Sequence, residues 1–463
     1  MRGNFDTLFY PHSVAVVGVS ESPEKWAYHP IRNLIEGGFR GGIYPVNPRL
    51  SQIFGLKVYP SVKAITARVD VAIILLPAHL VPSVLKECAQ KGIRGAVILS
   101  AGFEESGMEW GAKLQEAITA IADRAKIKII GPNSVGIGNP YANFNATLES
   151  SFTDVDKGNI AIVSQSGGVC AFLLNSMINQ NLGISLVMSL GNRGNVDFAD
   201  LVEYLGEHQQ TKVIVLYIEG LDNPHRLMEA ARGVVTKKPI VAYKAGEESL
   251  SRATFSHTAS LAGRYELYHA AFSQAGIILV DDLTELIDVA KALAFQPPPR
   301  GDKVAILSPQ AGPGIVAASA CQRYGLALAN FSPQGKKRLG ELVSTPFFSE
   351  NPFDMGAAFV KDSTQIFHKA LEIVLSEEGV DAMVVSSVYH PLSMPLIESL
   401  INIVDEKVVT KPIVAFGSSP KGIADQQIAR LEKNNIPIYP LPDRAVKALA
   451  GLVRYGKVRY LTS

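Results

Sequence analysis

A polar segment between two glycines contains the residue that is best suited to chemical reaction. The stretch GEESLSRATFSHTASLAG, from Gly246 to Gly263, holds one histidine, His257, among small hydroxyl residues. It shows no hydrophobic periodicity, and long segments of this kind in compact domains are usually functional or disordered. Neutral imidazole is a nucleophile at physiological pH because its ordinary pKa is about 6.5. His257 is therefore a candidate nucleophile, and a solvated loop histidine is the alternative interpretation.

Two glycine-rich turns are candidate anion sites. The first comprises Ser164, Gln165, Ser166, Gly167 and Gly168, and the second comprises Gln310, Ala311, Gly312, Pro313 and Gly314. Each turn follows an apolar strand pattern and precedes an apolar helix pattern, so backbone N–H groups at a helix N-terminus are available to an anion. Two such helix ends directed at one point would stabilise a phosphoryl group on a histidine.

A carboxylate stands at the end of another predicted strand. The run KVIVLYIEG ends on Glu219, and a carboxylate there is costly to bury unless it has a partner. Glu219 could hold the proton of one imidazole nitrogen and so fix the tautomer, as the carboxylate of a catalytic triad does. A strand-end residue facing solvent is the alternative. Together these residue types predict phosphoryl transfer through a histidine on a segment hinged at its two glycines.

The first 130 residues alternate short apolar runs with segments of helical length. The runs are SVAVVGVS, GGIYPVNP, VDVAIILLP, IRGAVILSAGF and KIKIIGPNS. This alternation predicts a parallel sheet covered on both faces, with ligands beyond the carboxyl ends of its strands. A dinucleotide is disfavoured, because only Gly18 of the GxGxxG signature is present and the second strand ends YPVNP, without an acidic residue. Lys25 could face a phosphate or could be a solvated helix-start lysine.

The second half of the chain repeats the middle. After the linker FQPPPR, GDKVAILSPQAGPG parallels GNIAIVSQSGG, DAMVVSSVYHP parallels KVIVLYIEG, and KPIVAFGSS parallels KPIVAYKAG. Counterparts of Glu219 and His257 are absent from the second copy of the sequence. We therefore predict three doubly wound α/β domains, a Rossmann-like domain at 1–130 and two flavodoxin-like domains at 131–296 and 301–463. One active centre, assembled between the two copies, is expected.

The composition narrows the class of protein. The chain has 463 residues, 47% hydrophobic and 19% charged, with a net charge of +1. It therefore gives no electrostatic reason to expect binding to nucleic acid or membrane, and no apolar run reaches the ~18–20 residues of a membrane span. The N-terminus lacks the order of a signal peptide. Three scattered cysteines without CxxC spacing predict reduced thiols in a cytoplasmic protein and no metal site.

The motifs, taken in order, resemble one family. The chain resembles the α subunits of NDP-forming acyl-CoA synthetases, the ADP-forming acetyl-CoA synthetase group, and is related to succinyl-CoA synthetase. The resemblance covers essentially the whole chain. It is carried by FYPHSVAVVGVSESPEK, YPVNP, GPNSVGI, IAIVSQSGG, SLGN, YIEG, KPIVAYKAG with FSHTASLAG, and NPFDMG.

The resemblance implies a role for each motif. His257 would be the phosphorylated histidine, Glu219 its orienting carboxylate, and the two glycine-rich turns the phosphate cradle. The first domain would bind CoA or acetyl-CoA, and the other two would be of the succinyl-CoA-synthetase type. The implied CoA-binding residues are Gly18, Val19, Ser20, Lys25, Val46, Asn47, Pro77, Ser100, Ala101, Gly102 and Phe103; the implied acyl site is Asn133, Ser134 and Asn192. A departure from the family is Trp26-Ala27 after Lys25, where relatives often carry glycine.

The resemblance also implies a reaction and a partner. Acyl-CoA and phosphate give acyl phosphate, His257 takes the phosphoryl group, and ADP receives it. No segment has the features of an ATP-grasp domain, so a separate ATP-grasp β subunit is expected to hold ADP or ATP with Mg, in an α2β2 heterotetramer. The expected substrate is a small monocarboxylic acid such as acetate.

Two alternatives remain from the sequence. The first is a succinyl-CoA synthetase-like α subunit, against which stands the third domain. A dicarboxylate would also need an extra cation, for which Arg193 is the obvious candidate although a helix-cap or interface role suits it better. The second is a CoA-binding regulatory module without catalysis, which gives no reason for His257 and Glu219 to occur in one copy only.

Overall fold

The computed structural model describes residues 2–246, 265–343, 349–355, 363–387, 394–406, 410–420 and 422–461. The chain forms two compact units, Met1–Val280 and Asp281–Ser463. The predicted α/β class is confirmed, with two large sheets in the first unit and one in the second. His257 lies outside the described residues. None of the described helices has both the length and the apolar character that crossing a bilayer requires.

The first sheet of the first unit is entirely parallel. Its region contains β1 (Ser13–Val17), β2 (Gly42–Val46), the short hairpin β3 (Gln52–Ile53) and β4 (Leu56–Lys57), β5 (Val71–Ile74), β6 (Gly95–Ile98) and β7 (Lys128–Ile130), with helices α1 (Arg2–Phe9), α2 (His29–Glu36), α3 (Val81–Lys91) and α4 (Glu109–Ala125). The strand order is β2-β1-β5-β6-β7. Strands β1, β5 and β6 are buried along their whole length, which is why they read as continuous apolar runs rather than alternating ones.

The second sheet of the first unit is parallel with an antiparallel hairpin at one edge. Its elements are β8 (Gly136–Asn139), β9 (Phe144–Thr147), β10 (Lys157–Ser164), β11 (Ile184–Ser189), β12 (Val213–Ile218), β13 (Ile240–Lys244) and β14 (Ile278–Val280), with helices α5 (Gly167–Ile178), α6 (Phe198–Glu207), α7 (Pro224–Val234) and α8 (Tyr265–Gln274). The order is β14-β13-β12-β10-β11-β8-β9. The hairpin β8–β9 pairs with β11, a feature that the sequence pattern did not predict.

The N-terminal helix α1 connects the two sheets of the first unit. The Phe9 and Tyr204 rings stack with centroids 5.1 Å apart, and the Tyr204 hydroxyl donates to the Asp6 carboxylate at 3.1 Å. The buried Asn139 amide donates to the Phe9 carbonyl at 3.0 Å. These apolar and polar contacts fix the relative positions of the two sheets, and therefore of the strand ends that form the site below.

The second unit contains the sheet of the repeated copy. Its elements are α9 (Leu283–Phe295), β15 (Lys303–Ser308), α10 (Ala311–Arg323), β16 (Ala327–Leu328), α11 (Pro333–Gly340), β17 (Phe353–Asp354), α12 (Ser363–Ser376), β18 (Ala382–Ser386), α13 (Met394–Glu406), β19 (Ile413–Phe416), α14 (Asp425–Lys433), β20 (Ile438–Tyr439) and α15 (Pro442–Leu461). The order is β16-β15-β18-β19-β20, with β17 beside β15.

Helix α9 is held in the second unit by buried charges. Asp288 accepts two hydrogen bonds from the Arg444 guanidinium on α15, at 2.7 and 2.8 Å. Lys291 is paired with Glu432 and also donates to the Ile438 carbonyl at 2.9 Å. Because one-sided removal of a buried ion pair leaves an uncompensated charge, these contacts attach α9 firmly to α14 and α15.

Candidate active site

A cavity of about 860 Å³ in the first unit lies where the ends of its two sheets meet. It collects predicted site residues from both sheets. Those lining it are Ala101, Asn133, Ser134, Gln165, Ser166, Gly167, Gly168, Asn192 and Glu219. It also has lining residues that the sequence did not indicate as site residues, among them Glu105, Gln115 and Asp222.

The first glycine-rich turn joins β10 to the start of helix α5. Strand β10 ends at Ser164, whose hydroxyl donates to the Ser166 carbonyl at 2.7 Å. Ser166 is the N-cap of α5, and its Oγ accepts from the Val169 N–H at 3.3 Å. The N–H groups of Gly167 and Gly168 belong to the first turn, where a helix supplies no acceptors of its own. They are therefore available to an anion in the cavity.

Gly167 is required at the start of α5 for a steric reason. A Cβ at this position would lie 2.6 Å from the Val135 Cγ1 atom. The absence of a side chain lets the helix start approach the segment before β8, and Ser134, Val135 and Gly167 all line the cavity.

Gln165 fixes the end of β12 next to this turn. Its side-chain oxygen accepts from the N–H groups of Glu219 and Gly220, at 2.9 and 3.0 Å, and its own N–H donates to the Tyr217 carbonyl at 3.0 Å. Gln165 and Glu219 are both buried. The predicted phosphate residue Gln165 therefore uses its side-chain oxygen to position the backbone that carries Glu219.

A buried lysine lies on the neighbouring strand. The parallel register pairs Lys244 with Ile218, directly before Glu219. The Lys244 ammonium donates to the Ala245 carbonyl at 2.5 Å and lies 4.8 Å from the centre of the Tyr268 ring. Burial lowers the pKa of Lys244 to about 8, while the Glu219 carboxylate acts in the opposite direction. Glu219 thus follows β12, and Lys244 ends the neighbouring strand β13. The segment that contains His257 comes after β13 in the sequence.

The implied CoA-binding residues gather at the carboxyl edge of the first sheet. Gly18, Val19 and Ser20 follow β1, Val46 and Asn47 end and follow β2, Pro77 follows β5, and Ser100, Ala101, Gly102 and Phe103 follow β6. Gly18 has a φ of +96°, and a Cβ there would lie 2.2 Å from the Leu75 carbonyl oxygen. The Asn47 amide donates to the Val19 carbonyl at 2.8 Å. Lys25 is exposed nearby.

Phe103 occupies a different environment from the rest of that set. Its side chain is completely buried in the core cluster of the first sheet. The N–H groups of Gly102 and Phe103 both donate to the Glu105 carboxylate, at 2.6 and 3.2 Å. Of Ala101, Gly102 and Phe103, it is therefore the exposed Ala101 that lines the cavity.

The implied acyl residues form one wall of the cavity. Asn133 has a φ of +58°, and its N–H donates to the Ser100 carbonyl at 2.8 Å. Its side-chain amide donates to the Asn192 oxygen at 3.3 Å. Ser134 is buried, and its hydroxyl donates to the Ser189 carbonyl at 2.6 Å. Asn133 and Asn192 thus offer amide groups at the wall, while the Ser134 hydroxyl is engaged by the backbone.

Arg193 extends this wall and is neutralised by two carboxylates. Its guanidinium contacts Asp197 at 3.3 Å and Asp222 at 3.0 Å, with only 6% of the side chain exposed. Asp197 is the N-cap of α6 and forms a capping box with Asp200. Arg193 therefore has no net positive charge to offer a ligand.

The second glycine-rich turn lies in the second unit. Strand β15 ends at Ser308, whose hydroxyl donates to the Gln310 carbonyl at 2.6 Å. Helix α10 begins at Ala311, and Gly312 has open space around the position of a Cβ. Pro313 and Gly314 lie in the first turn of α10. The Gln310 side chain makes no capping hydrogen bond.

Sequence reasoning missed Glu105, Gln115 and Asp222 because their partners are remote. Glu105 reaches Asn192 across 87 positions, and Gln115 reaches it across 77. Only the contact of Glu105 with its own turn had a local signal, because a carboxylate two or three residues after a turn can accept hydrogen bonds from the N–H groups of that turn.

Two family models match the chain. One, described as a CoA binding domain, matches residues 12–140, and another, a succinyl-CoA ligase like flavodoxin domain, matches residues 157–293. The α subunit of acetate–CoA ligase [ADP-forming] II from Pyrococcus furiosus is 38% identical over 98% of both chains. Acetate–CoA ligase [ADP-forming] I from Archaeoglobus fulgidus is 38% identical over 98% of this chain and 64% of its own, longer chain.

A solved structure agrees with these sequence comparisons. The dinucleotide-forming acetyl-coenzyme A synthetase 1 of Ca. Korarchaeum cryptofilum, in complex with phosphate and ADP, matches with a TM-score of 0.91 and 30% identity. The match covers 98% of this chain and 97% of the other.

Proposed function

We propose, from the premise that this chain belongs to the family of the ADP-forming acetate–CoA ligase α subunits, that it is the α subunit of a ligase joining a small monocarboxylic acid to CoA. The observation that carries the proposal is the cavity that unites the edge of the first sheet with the Ser164–Gly168 turn and Glu219. CoA and its acyl group would bind at the edge of the first sheet, and phosphate would bind at the Ser164–Gly168 turn.

The first step we propose transfers the acyl group from sulfur to phosphate. A phosphate oxygen attacks the thioester carbonyl, a C–O bond forms, the C–S bond breaks, and the CoA thiolate takes up the proton that phosphate loses. The N–H groups of Gly167 and Gly168 would hold the phosphate at the positive end of α5. Asn133 and Asn192 would contact the acyl group.

The second step we propose moves the phosphoryl group to His257. A ring nitrogen attacks phosphorus, the bond to the acyl oxygen breaks, and the carboxylate of the acid leaves. Glu219 would accept a hydrogen bond from the other ring nitrogen and keep the attacking nitrogen unprotonated. The Ser164–Gly168 turn would stabilise the phosphohistidine, which then passes its phosphoryl group to ADP; Gln310–Gly314 is proposed as a second phosphate-binding turn. The reverse sequence makes acyl-CoA at the expense of ATP.

The proposed nucleotide site belongs to a partner. Two Pyrococcus furiosus relatives are named as α subunits, and the Archaeoglobus fulgidus relative continues beyond the matched part. We propose an ATP-grasp β subunit that holds ADP or ATP with Mg, in an α2β2 assembly. A cytoplasmic location is part of the same proposal, and the free, buried state of Cys88, Cys170 and Cys321 is consistent with it.

The charge of the cavity wall supports a monocarboxylic substrate. A second carboxylate on the substrate would need a cation, and Arg193 is the cationic residue among those described that line the cavity. Its pairing with Asp197 and Asp222 leaves that trio with a net negative charge. The wall therefore disfavours a dicarboxylate such as succinate.

The test is phosphorylation of the chain itself. The full chain is incubated with acetyl-CoA and radiolabelled phosphate, and acid-labile, alkali-stable protein label is counted. Wild type and His225→Ala, a variant of an exposed histidine on α7, should label, and His257→Ala should not. If none labels, the assay is repeated with the β subunit, ATP and Mg. Absence of label there would leave the non-catalytic CoA-sensing function as the better account.

A further inference from the structure

A closed ring of hydrogen bonds joins the two sheets of the first unit at the cavity wall. The Ser100 carbonyl accepts from the Asn133 N–H at 2.8 Å. The Asn133 side chain donates to the Asn192 oxygen at 3.3 Å, and the Asn192 amide donates to the Glu105 carboxylate. Glu105 closes the ring by accepting from the Gly102 N–H at 2.6 Å, two residues from Ser100.

Glu105 is bound by donors on both sides of the ring. Its Oε1 atom accepts from the N–H groups of Gly102 and Phe103, and its Oε2 atom accepts from the Phe103 N–H at 3.2 Å and from the Asn192 amide. An ionised carboxylate can only accept hydrogen bonds, and three N–H groups replace much of its hydration. The carboxylate is thus committed to holding two pieces of backbone together.

The orientation of Asn192 is fully determined by its partners. One amide hydrogen is directed to Glu105 and the other to the Gln115 side-chain oxygen at 2.9 Å, while the Asn192 oxygen accepts from Asn133. Reversing this amide would turn three hydrogen bonds into unfavourable contacts at once. Glu105 therefore controls which way a residue of the acyl wall faces.

We propose that Glu105 is a positioning residue for acyl transfer from CoA, acting through Asn192; this inference rests on the proposed function. The turn that Glu105 caps belongs to the CoA side of the cavity, whereas Asn133 and Asn192 belong to the acyl side. Transfer requires the thioester and the phosphate oxygen at near-contact distance, and a misplacement of about 1 Å can cost about 100-fold in rate. The ring fixes the distance between the two sides.

The discriminating substitution is Glu105→Gln. It conserves size but replaces one carboxylate oxygen with an NH2 group, which opposes the Asn192 amide or a turn N–H as donor to donor. A matched control is Glu109→Gln, since Glu109 is an exposed residue at the start of α4, paired with Lys113. Two reactions of the full chain are compared: labelling from acetyl-CoA with radiolabelled phosphate, and labelling from acetyl phosphate carrying the label on phosphorus.

The two reactions separate the steps. Labelling from acetyl-CoA needs both sides of the ring, and we expect Glu105→Gln to slow it by about 10- to 100-fold. Labelling from acetyl phosphate involves no thioester, so it should fall less than labelling from acetyl-CoA even though Asn192 also contacts this acyl group. Both reactions should remain unchanged in Glu109→Gln. An equal fall in both reactions with a lowered melting temperature would mean a merely structural role, and no fall in either would mean that Glu105 is dispensable. Both results would overturn the inference.

A reciprocal exchange tests the bond itself. In the double variant Glu105→Gln with Asn192→Asp, the new glutamine can donate to the new aspartate and the net charge is unchanged. We expect labelling from acetyl-CoA to be faster in the double variant than in either single variant. A double variant no better than the singles would contradict the assigned contact. If the wild type labels from neither donor, the proposed function fails, independently of Glu105.

Discussion

The two copies of the repeated fold have the same turn but differ at the neighbouring strand ends. In the first copy the Ser164 hydroxyl donates to the Ser166 carbonyl at 2.7 Å, and in the second the Ser308 hydroxyl donates to the Gln310 carbonyl at 2.6 Å. Each pair holds the exit from a central strand into a helix. The serine-anchored turn is therefore part of the scaffold, and its presence alone does not make a catalytic copy.

The strand ends carry the difference. Register pairs Val163 with Leu216 in the first copy and Leu307 with Val385 in the second. Three positions further on, the first copy has Glu219, and the second has Val388 in its sequence. The next strand brings Lys244 in the first copy, where the second has Gly417 in its sequence. At these two strand-end positions the first copy thus has charged residues where the second has uncharged ones, while the buried carboxylate of the second copy, Asp354, is paired in register with Ser308 on another strand.

The two copies also share a lysine that donates to backbone carbonyls. Lys238 donates to the Leu205 and His208 carbonyls behind α6, and Lys411 donates to the Glu377 carbonyl behind α12. The carbonyl partner is a histidine in one copy and a glutamate in the other. A repeated backbone contact therefore tolerates side chains of opposite chemistry.

The largest expected effect of breaking the asymmetry is at Glu219. Glu219→Gln keeps the shape but removes the negative charge that would fix the His257 tautomer, so we expect phosphorylation of the chain to fall by about 100-fold or more. Ser386→Ala, in a central strand end of the second copy, serves as the control. If Glu219→Gln and Ser386→Ala slowed labelling equally in rapid-quench measurements, the proposed difference between the two copies would be wrong.

The next largest effect is expected in the free energy of unfolding, at the first residues of α5 and α10. Gly167→Ala would place a Cβ 2.6 Å from Val135, so we expect a loss of about 1–3 kcal/mol in the free energy of unfolding. The second copy already has Ala311 at the same distance from its N-cap residue. Ala311→Gly should therefore cost about 1 kcal/mol or less. Urea unfolding of both variants measures this, and a neutral Gly167→Ala would be evidence against the tight approach of α5.

The next prediction concerns the pH dependence of stability and a buried histidine of the first copy, His208. His208 is buried, contacted by the Tyr10 and Thr211 hydroxyls at 2.8 Å, and burial together with the Lys238 charge lowers its pKa to about 4. The unfolded chain, with an ordinary histidine pKa of about 6.5, then binds more protons between those values, so the free energy of unfolding should fall by about 1–3 kcal/mol as pH drops through that window. Melting curves should show a smaller fall for His208→Gln, and an unchanged pH slope would contradict this.

The smallest effects are expected at the shared lysines. Lys238→Met removes donors to two carbonyls, at 2.8 and 2.6 Å, whereas Lys411→Met removes one at 2.5 Å. We expect losses of about 0.5–1.5 kcal/mol in the free energy of unfolding, greater at Lys238 because two carbonyls lose their donor there. Equal losses in denaturant unfolding would show that the second carbonyl finds another donor.

Much of the fold could be predicted because its signals are local. Continuous apolar runs marked the buried strands, and the serine–glycine turns marked where β10 and β15 pass into helices. By contrast, the Glu105–Asn192 contact joins residues 87 positions apart, and the β8–β9 hairpin has strands of only 4 residues on either side of its Asn139-Pro140 turn signal. Such features arise from packing between sheets, which no local pattern encodes.

We expect the phosphorylated residue to lie in only one copy of the duplicated fold. The most direct measurement is mass-spectrometric mapping of the phosphoryl group after the wild-type chain reacts with acetyl phosphate, under alkaline conditions that preserve phosphohistidine. We expect up to one phosphoryl group per chain, on the peptide containing His257. Phosphate on His390, which follows β18 in the second copy, or on both peptides, would contradict it.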